Sequence, residues 1–126
     1  MPEKLPELRR GRIVWADVRD QRGSLKRRPA IIITATSAIK PERPLAVIAI
    51  TTTYPDPPPA DHVELPWEAR RHPVTRLTKR SAAVVSWFGK VKADEVEPIG
   101  DVPTKQMKMI EAKLAELKQS YPPEPT

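Results

Sequence analysis

The segment AIIITAT, Ala30–Thr36, is apolar, β-branched and too short to make a stable helix. Its side chains do not alternate with polar ones, so it reads as a strand buried on both faces. LAVIAITTT, Leu45–Thr53, repeats the pattern. Working outward, Ile13 to about Val18 opens an earlier strand, and Asp20–Arg27 (DQRGSLKR) reads as a polar loop around Gly23. Residues 54–61 (YPDPPPAD) are too rich in proline for regular structure and form a surface loop. His62–Leu65 is a short strand, and Pro66–Pro73 is a basic connection. Ser81–Trp87 is another strand, which Lys90-Val91 extends, and Asp94–Pro98 is acidic and turn-like. Only Thr104–Gln119 has a helical period: Met107, Ile110, Leu114 and Leu117 share one face. Pro103 suits its start, and Pro122-Pro123 forbid its continuation. Successive short strands followed by one helix predict a mainly β fold, an antiparallel barrel with a C-terminal α-helix.

The chain has 126 residues, enough for one domain without a disulfide or metal staple. It contains no cysteine, which excludes thiol catalysis, disulfides and Cys-based metal sites. Its 16 prolines leave no room for many long helices. No apolar run is long enough to cross a membrane. The start, Met1-Pro2-Glu3-Lys4, has no hydrophobic stretch, so a cytoplasmic protein without a signal peptide is expected. The expected organisation is a flexible arm over 1–10, a domain over 11–119 and a disordered tail over 120–126.

With 22 basic and 16 acidic residues the formal charge is +6, which suits a polyanionic partner. The positive charge is concentrated in two segments. Arg19–Arg28 holds Arg19, Arg22, Lys26, Arg27 and Arg28 against Asp20, and Arg70–Arg80 holds Arg70, Arg71, Arg76, Lys79 and Arg80 with no acid. Basic side chains on loops bind phosphates and release counterions. A merely solvated surface has the same composition. Trp67, Trp87 and Tyr54 are available for stacking on bases, although the apolar strands around Trp15 and Trp87 place those two in the core. His62 and His72 are compatible with an acid/base pair but read first as two surface histidines, and Asp94, Glu95 and Glu97 read as a solvated turn before a carboxylate cluster. There is no P-loop, dinucleotide fingerprint, nucleophile elbow or HExxH. The residues by themselves give a small basic barrel with a nucleic-acid surface and no catalytic signature.

Five pieces in order resemble the PemK/MazF toxins of type II toxin–antitoxin systems, which are mRNA interferases. They are GRIVWADV (Gly11–Val18), GSLKRRPAIII (Gly23–Ile33), AVIAITTTY (Ala46–Tyr54), HVELP (His62–Pro66), and the series Thr75, Leu77, Lys79, Ser81. The resemblance covers about residues 10–119. It implies an SH3-like barrel, a homodimer, and a cofactor-free, metal-independent endoribonuclease that cuts single-stranded mRNA and is blocked by a cognate antitoxin. It places the catalytic residues on Arg28, of the Arg-Pro pair, and on Thr51. Alternation sets Thr51 and Thr53 on one face and Thr52 on the other, so a register error of one residue would transfer the role to Thr52. The RNA-contacting set that follows is Arg19, Arg22, Ser24, Lys26, Arg27, Thr52, Thr53, Arg76 and Lys79.

The implied reaction is attack of the 2′-hydroxyl on the adjacent phosphorus, leaving a 2′,3′-cyclic phosphate and a 5′-hydroxyl. Arg28 would stabilise the phosphoryl charge, and Thr51 would supply a hydroxyl on a stiff side chain. The chain departs from the pattern at Leu25, where some members carry an acid after the Gly-Ser. Two other readings stand beside this one: a non-catalytic RNA- or protein-binding barrel, and a gyrase-targeting toxin of the same fold. The ending Tyr121–Thr126 lacks the Trp-Gly-Ile of the latter.

Overall fold

The computed structural model describes residues 8–120. Six strands, β1 (Arg12–Arg19), β2 (Leu25–Ile32), β3 (Pro44–Thr51), β4 (His62–Leu65), β5 (Ser81–Lys92) and β6 (Glu97–Asp101), precede a single α-helix, α1 (Thr104–Ser120). They form one antiparallel sheet in the order β4-β5-β3-β2-β1-β6. Among the described residues β4 and β6 are not paired with each other, so the barrel is open along that seam. The connection between β4 and β5 spans part of it, where the Asp101 amide of β6 donates to the Val74 carbonyl at 2.9 Å.

The continuous apolar runs have the cause that their composition suggests. Ile13, Ile31, Ile48, Ile50, Val63 and Val85 pack on one side of the sheet with Ile110 of α1, and Met107, Leu114 and Leu117 border that core. Val14, Ala16, Val18, Ala30, Ile32, Val47 and Ala49 pack on the other side. A strand with both faces covered has no reason to alternate with polar residues. The carbonyl of Pro103 accepts the Met107 amide at 2.9 Å and starts the helix.

Several boundaries differ from the sequence reading. β2 begins at Leu25, so Lys26, Arg27 and Arg28 lie in a strand and not in a loop. They extend a two-stranded ribbon with β1, in which Asp17 faces Arg27 and Ala16 faces Arg28. The pairing with β1 outweighs the polar composition. β3 ends at Thr51, leaving Thr52 and Thr53 in the connection. The acidic turn is confined to Ala93–Glu95, and Glu97 already belongs to β6. Trp15 is 41% exposed: Ile13 on its face of β1 is buried under the first core, but beyond it the strand alternates, with Val14, Ala16 and Val18 buried and Trp15, Asp17 and Arg19 turned outward. In the expected arm, Leu8 packs against the second core and Arg9 pairs with Asp101 at 2.8 Å. Residues 1–7 and 121–126, which carry most of that arm and of the tail, lie outside the described residues.

Candidate active site

The two arms of β5 pair with β3 in different registers: Ile48 faces Phe88, yet Ile50 faces Ala83. Between these pairs β3 has only Ala49, while β5 has Val84, Val85, Ser86 and Trp87. The extra chain bends β5 away from β3, and bulges of this kind re-aim side chains beside functional sites. Here the bend opens a cleft of about 290 Å³, lined by Gln21, Thr51, Thr53, Asp61, His62, Val84, Ser86 and Trp87.

Trp87, half-buried, packs against the second core and also forms one wall of the cleft. Its indole N–H donates to the Arg19 carbonyl at 2.7 Å, which holds the ring under the β1–β2 turn. The Arg28 guanidinium lies over the same ring, 4.7 Å from its centroid. Arg28 Nε is buried without a hydrogen-bond partner. The permanent cation is thus held by stacking on Trp87, and it acts at a distance on the Asp20 carboxyl, whose ionised form it favours.

The β1–β2 turn is ordered by Asp20. One of its carboxylate oxygens accepts the Arg22 and Ser24 amides at 2.9 and 3.0 Å, and Gly23 supplies the positive φ of 83°. The Ser24 amide is the main cause that holds the Asp20 carboxyl below its usual range. An acid does order this loop, then, although it stands before the Gly-Ser and not at Leu25, which pairs with Arg19.

On the opposite wall, the Thr51 hydroxyl accepts the Thr53 amide and donates to the Thr53 carbonyl, both at 3.1 Å. Thr51 and Thr53 line the cleft together, whereas Thr52 does not line it.

The remaining expected contacts are dispersed. Arg19 donates to the Gly23 carbonyl at 2.8 Å, and Arg22, Ser24 and Lys26 are exposed on or beside the turn. Arg27 points away from Arg28 and is engaged by Glu97 at 3.1 Å and Asp17 at 3.7 Å. Arg76 and Lys79 are exposed on the β4–β5 connection with Trp67, and none of the three lines the cleft.

Asp61 and Ser86 were not singled out in the sequence. His62 was, as a surface histidine, but its side chain is only 12% exposed and hydrogen-bonded to Asp61 at 2.8 Å. His72 is also largely covered, its side chain 19% exposed, and its Nδ1 accepts the Val74 and Thr75 amides. The legible signal for the first pair was the adjacent Asp-His at a strand start. Ser86, 25 residues from Asp61, gave none.

Tyr54 does not present a free stacking face. Arg80 covers its ring at 3.8 Å, and its hydroxyl donates to Glu64 at 2.9 Å. Burial, and then the Glu64 contact, push its phenol up to about 12. An unfolded tyrosine ionises near 10. The contribution of neutral Tyr54 to stability is therefore complete below about pH 10 and is lost as pH rises through about 12. The part of the tyrosinate absorbance titration that Tyr54→Phe removes is expected to have its midpoint near 12. A midpoint near 10 would contradict the Glu64 contact.

Residues 9–117 match the family model of the PemK-like, MazF-like toxins of type II toxin–antitoxin systems. The chain belongs to that family. A comparison with curated proteins finds no sequence match. The fold is that of MazF from Deinococcus radiodurans, with a TM-score of 0.71, 15% identity, and coverage of 93% of this chain and 99% of the other. An endoribonuclease solved with its cognate antitoxin, from a mycobacterial species, aligns at 0.68 with 16% identity, covering 91% and 99%. The Mycobacterium tuberculosis toxin MazF-mt6 aligns at 0.64 with 18% identity, covering 86% and 97%. Family membership makes this chain a toxin of a type II system, in a family of endoribonucleases. Among the described residues no helix is long and apolar enough to cross a membrane.

Proposed function

We propose that this toxin is a metal-independent endoribonuclease that cleaves single-stranded mRNA in the cytoplasm. It acts as a homodimer, and a cognate antitoxin restrains it. The observation that carries the reading is the Arg28 guanidinium stacked on Trp87, a wall of the cleft that also holds Thr51. Attack by the 2′-hydroxyl needs no external nucleophile. It does need fixed positive charge where the phosphoryl oxygens become more negative. Arg28 supplies that charge with a planar donor fork, and the Trp87 indole is a surface beside it on which a base can stack. Thr51, pinned through Thr53, sets a hydroxyl at the end of β3. The exposed Arg22, Ser24 and Lys26, with Arg19, track the backbone along the neighbouring turn, and Thr53 extends the floor. Arg27, Thr52, Arg76 and Lys79 lie farther along the RNA path and contribute less.

The test is purified protein with a long single-stranded RNA in EDTA, with the ends mapped by primer extension. Discrete cuts with 5′-hydroxyl ends are expected. RNA that binds but stays intact would make the chain a non-catalytic barrel.

A further inference from the structure

Arg28 and Thr51 leave the reaction incomplete, because neither accepts a proton readily. A guanidinium stays protonated in proteins, and an unactivated hydroxyl is a weak base. The attacking 2′-hydroxyl must nevertheless lose its proton. We propose that Asp61 and His62 are the proton-transfer pair of the cleft, with His62 Nε2 as the general base. The assignment rests on the ribonuclease reading above and adds to it the group that removes the proton.

The geometry is that of an oriented imidazole. Asp61 Oδ1 lies 2.8 Å from His62 Nδ1, and Asp61 Oδ2 accepts the Ser86 hydroxyl. These contacts, the Ser86 bond first and the His62 bond after it, hold the Asp61 carboxyl below its usual range and keep it ionised. An ionised carboxylate at Nδ1 fixes the tautomer with the proton there and leaves Nε2 with its lone pair. The backbone is clamped on both sides of the pair. The His62 amide donates to the Pro59 carbonyl at 3.0 Å, and the Asp61 carbonyl accepts the Val85 amide at 2.9 Å. Tyr54 packs on the imidazole with ring centroids 5.7 Å apart. Asp61, His62 and Ser86 all line the cleft that holds Thr51 and Thr53.

The charged and titratable neighbours come from every side. Asp61 is in direct contact, and Tyr54 is bonded to Glu64 and covered by Arg80. From α1, Lys113 donates to the Ala60 carbonyl at 2.6 Å. The residues that β3 and β5 bring to this cleft, Thr51, Val84, Ser86 and Trp87, are uncharged. Asp61 is therefore the closest charge, and it favours the imidazolium that proton transfer creates.

In the step itself the O2′–P bond forms and the P–O5′ bond breaks. The 2′ proton passes to His62 Nε2. The departing 5′ oxygen takes a proton from water, and the imidazolium returns one to solvent, so the products together are an isomer of the substrate strand.

The test uses an RNA containing a cut site mapped as above, in EDTA, with rates followed from about pH 5 to 8, the range that histidine spans. Wild type is expected to gain about tenfold per pH unit on the acid side and to level off once the base is fully deprotonated. His62→Asn is expected to lose that limb and about 100-fold or more in rate near neutrality, with RNA affinity retained. Asp61→Asn should keep the limb but move it to lower pH, because the imidazolium loses its carboxylate. A purely structural Asp61 would not move it. A flat wild-type profile overturns the assignment, as does a folded His62→Asn that keeps the limb. If His62→Asn does not fold, the wild-type and Asp61→Asn profiles decide the matter. Wild type that cuts no RNA at any pH refutes the ribonuclease reading itself. Wild type that cuts, with an unshifted limb in Asp61→Asn, refutes the pair alone.

Discussion

Arg28→Ala is expected to lower the rate of RNA cleavage by about 100–1000-fold, the usual loss when one fixed donor to a developing oxyanion is removed. Arg28 does not itself line the cleft, but the substitution deletes the cation stacked on its Trp87 wall, and no lysine or arginine lines the cleft to replace it. Arg27, the adjacent cation, is held on the other side of the strand by Glu97 and Asp17. Arg80 is spent on Tyr54. Lysine at position 28 should recover only part of the loss, because an ammonium has no planar face to lie on Trp87 and no fork to grip two phosphate oxygens. The fold should survive both changes, since Arg28 is half-buried on a ribbon whose neighbours Ala16 and Ala30 carry the packing. The measurement is the single-turnover rate on a mapped site beside a thermal melt. Wild-type cleavage by a folded Arg28→Ala would remove Arg28 from the chemistry.

What could be read in the sequence was local. The β-branched runs announce strands buried on both faces over Ala30–Ile32 and Leu45–Thr51, although the first strand stops at Ile32, short of the expected Thr36, where the chain turns into Thr36–Ala38; the Met107–Leu117 period announces the helix. His62–Leu65 is legible for the same reason. Pairing and convergence were not legible. LKRR at 25–28 has the composition of a loop and becomes a strand through its pairing with Ala16–Arg19 of β1. Trp15 and Trp87 lie in similar apolar strands, but one faces outward and the other walls the cleft. The difference comes from strand alternation in the first case and from a bulge in the second, and neither leaves a mark in composition. The Arg-Pro pair and the threonines of the candidate site could be named only through family resemblance. The Asp61–Ser86 contact required the fold, since it joins the start of β4 to the bend in β5.

The second large effect is structural, and it concerns the seam between β4 and β6. Gly100 of β6 faces the backbone of the β4–β5 connection, where an added Cβ would collide with the Thr75 carbonyl oxygen and lie 2.6 Å from the Val74 oxygen. These atoms cannot yield cheaply. Thr75 is fully buried, its hydroxyl donates to the Pro66 carbonyl at 2.8 Å, and its neighbour Val74 accepts the Asp101 amide at 2.9 Å. Two of the loop amides are in turn held by His72 Nδ1 at 3.1 and 3.2 Å. Gly100→Ala must therefore push the connection off the sheet edge or pull β6 from β1, and either movement breaks buried hydrogen bonds. The expected loss is about 2 kcal/mol or more. That corresponds to roughly 8 °C in Tm, at about 4 °C per kcal/mol for a chain of this size. Gly23→Ala is the contrasting control, because it makes the same change of residue at a φ of 83°, a strain that Gly100 does not carry, and nothing lies within 4 Å of its added Cβ. Only backbone strain of about 1 kcal/mol should appear there. Equal melting temperatures for the two variants would mean that the connection does not press on β6, and that the seam is held by the sheet alone.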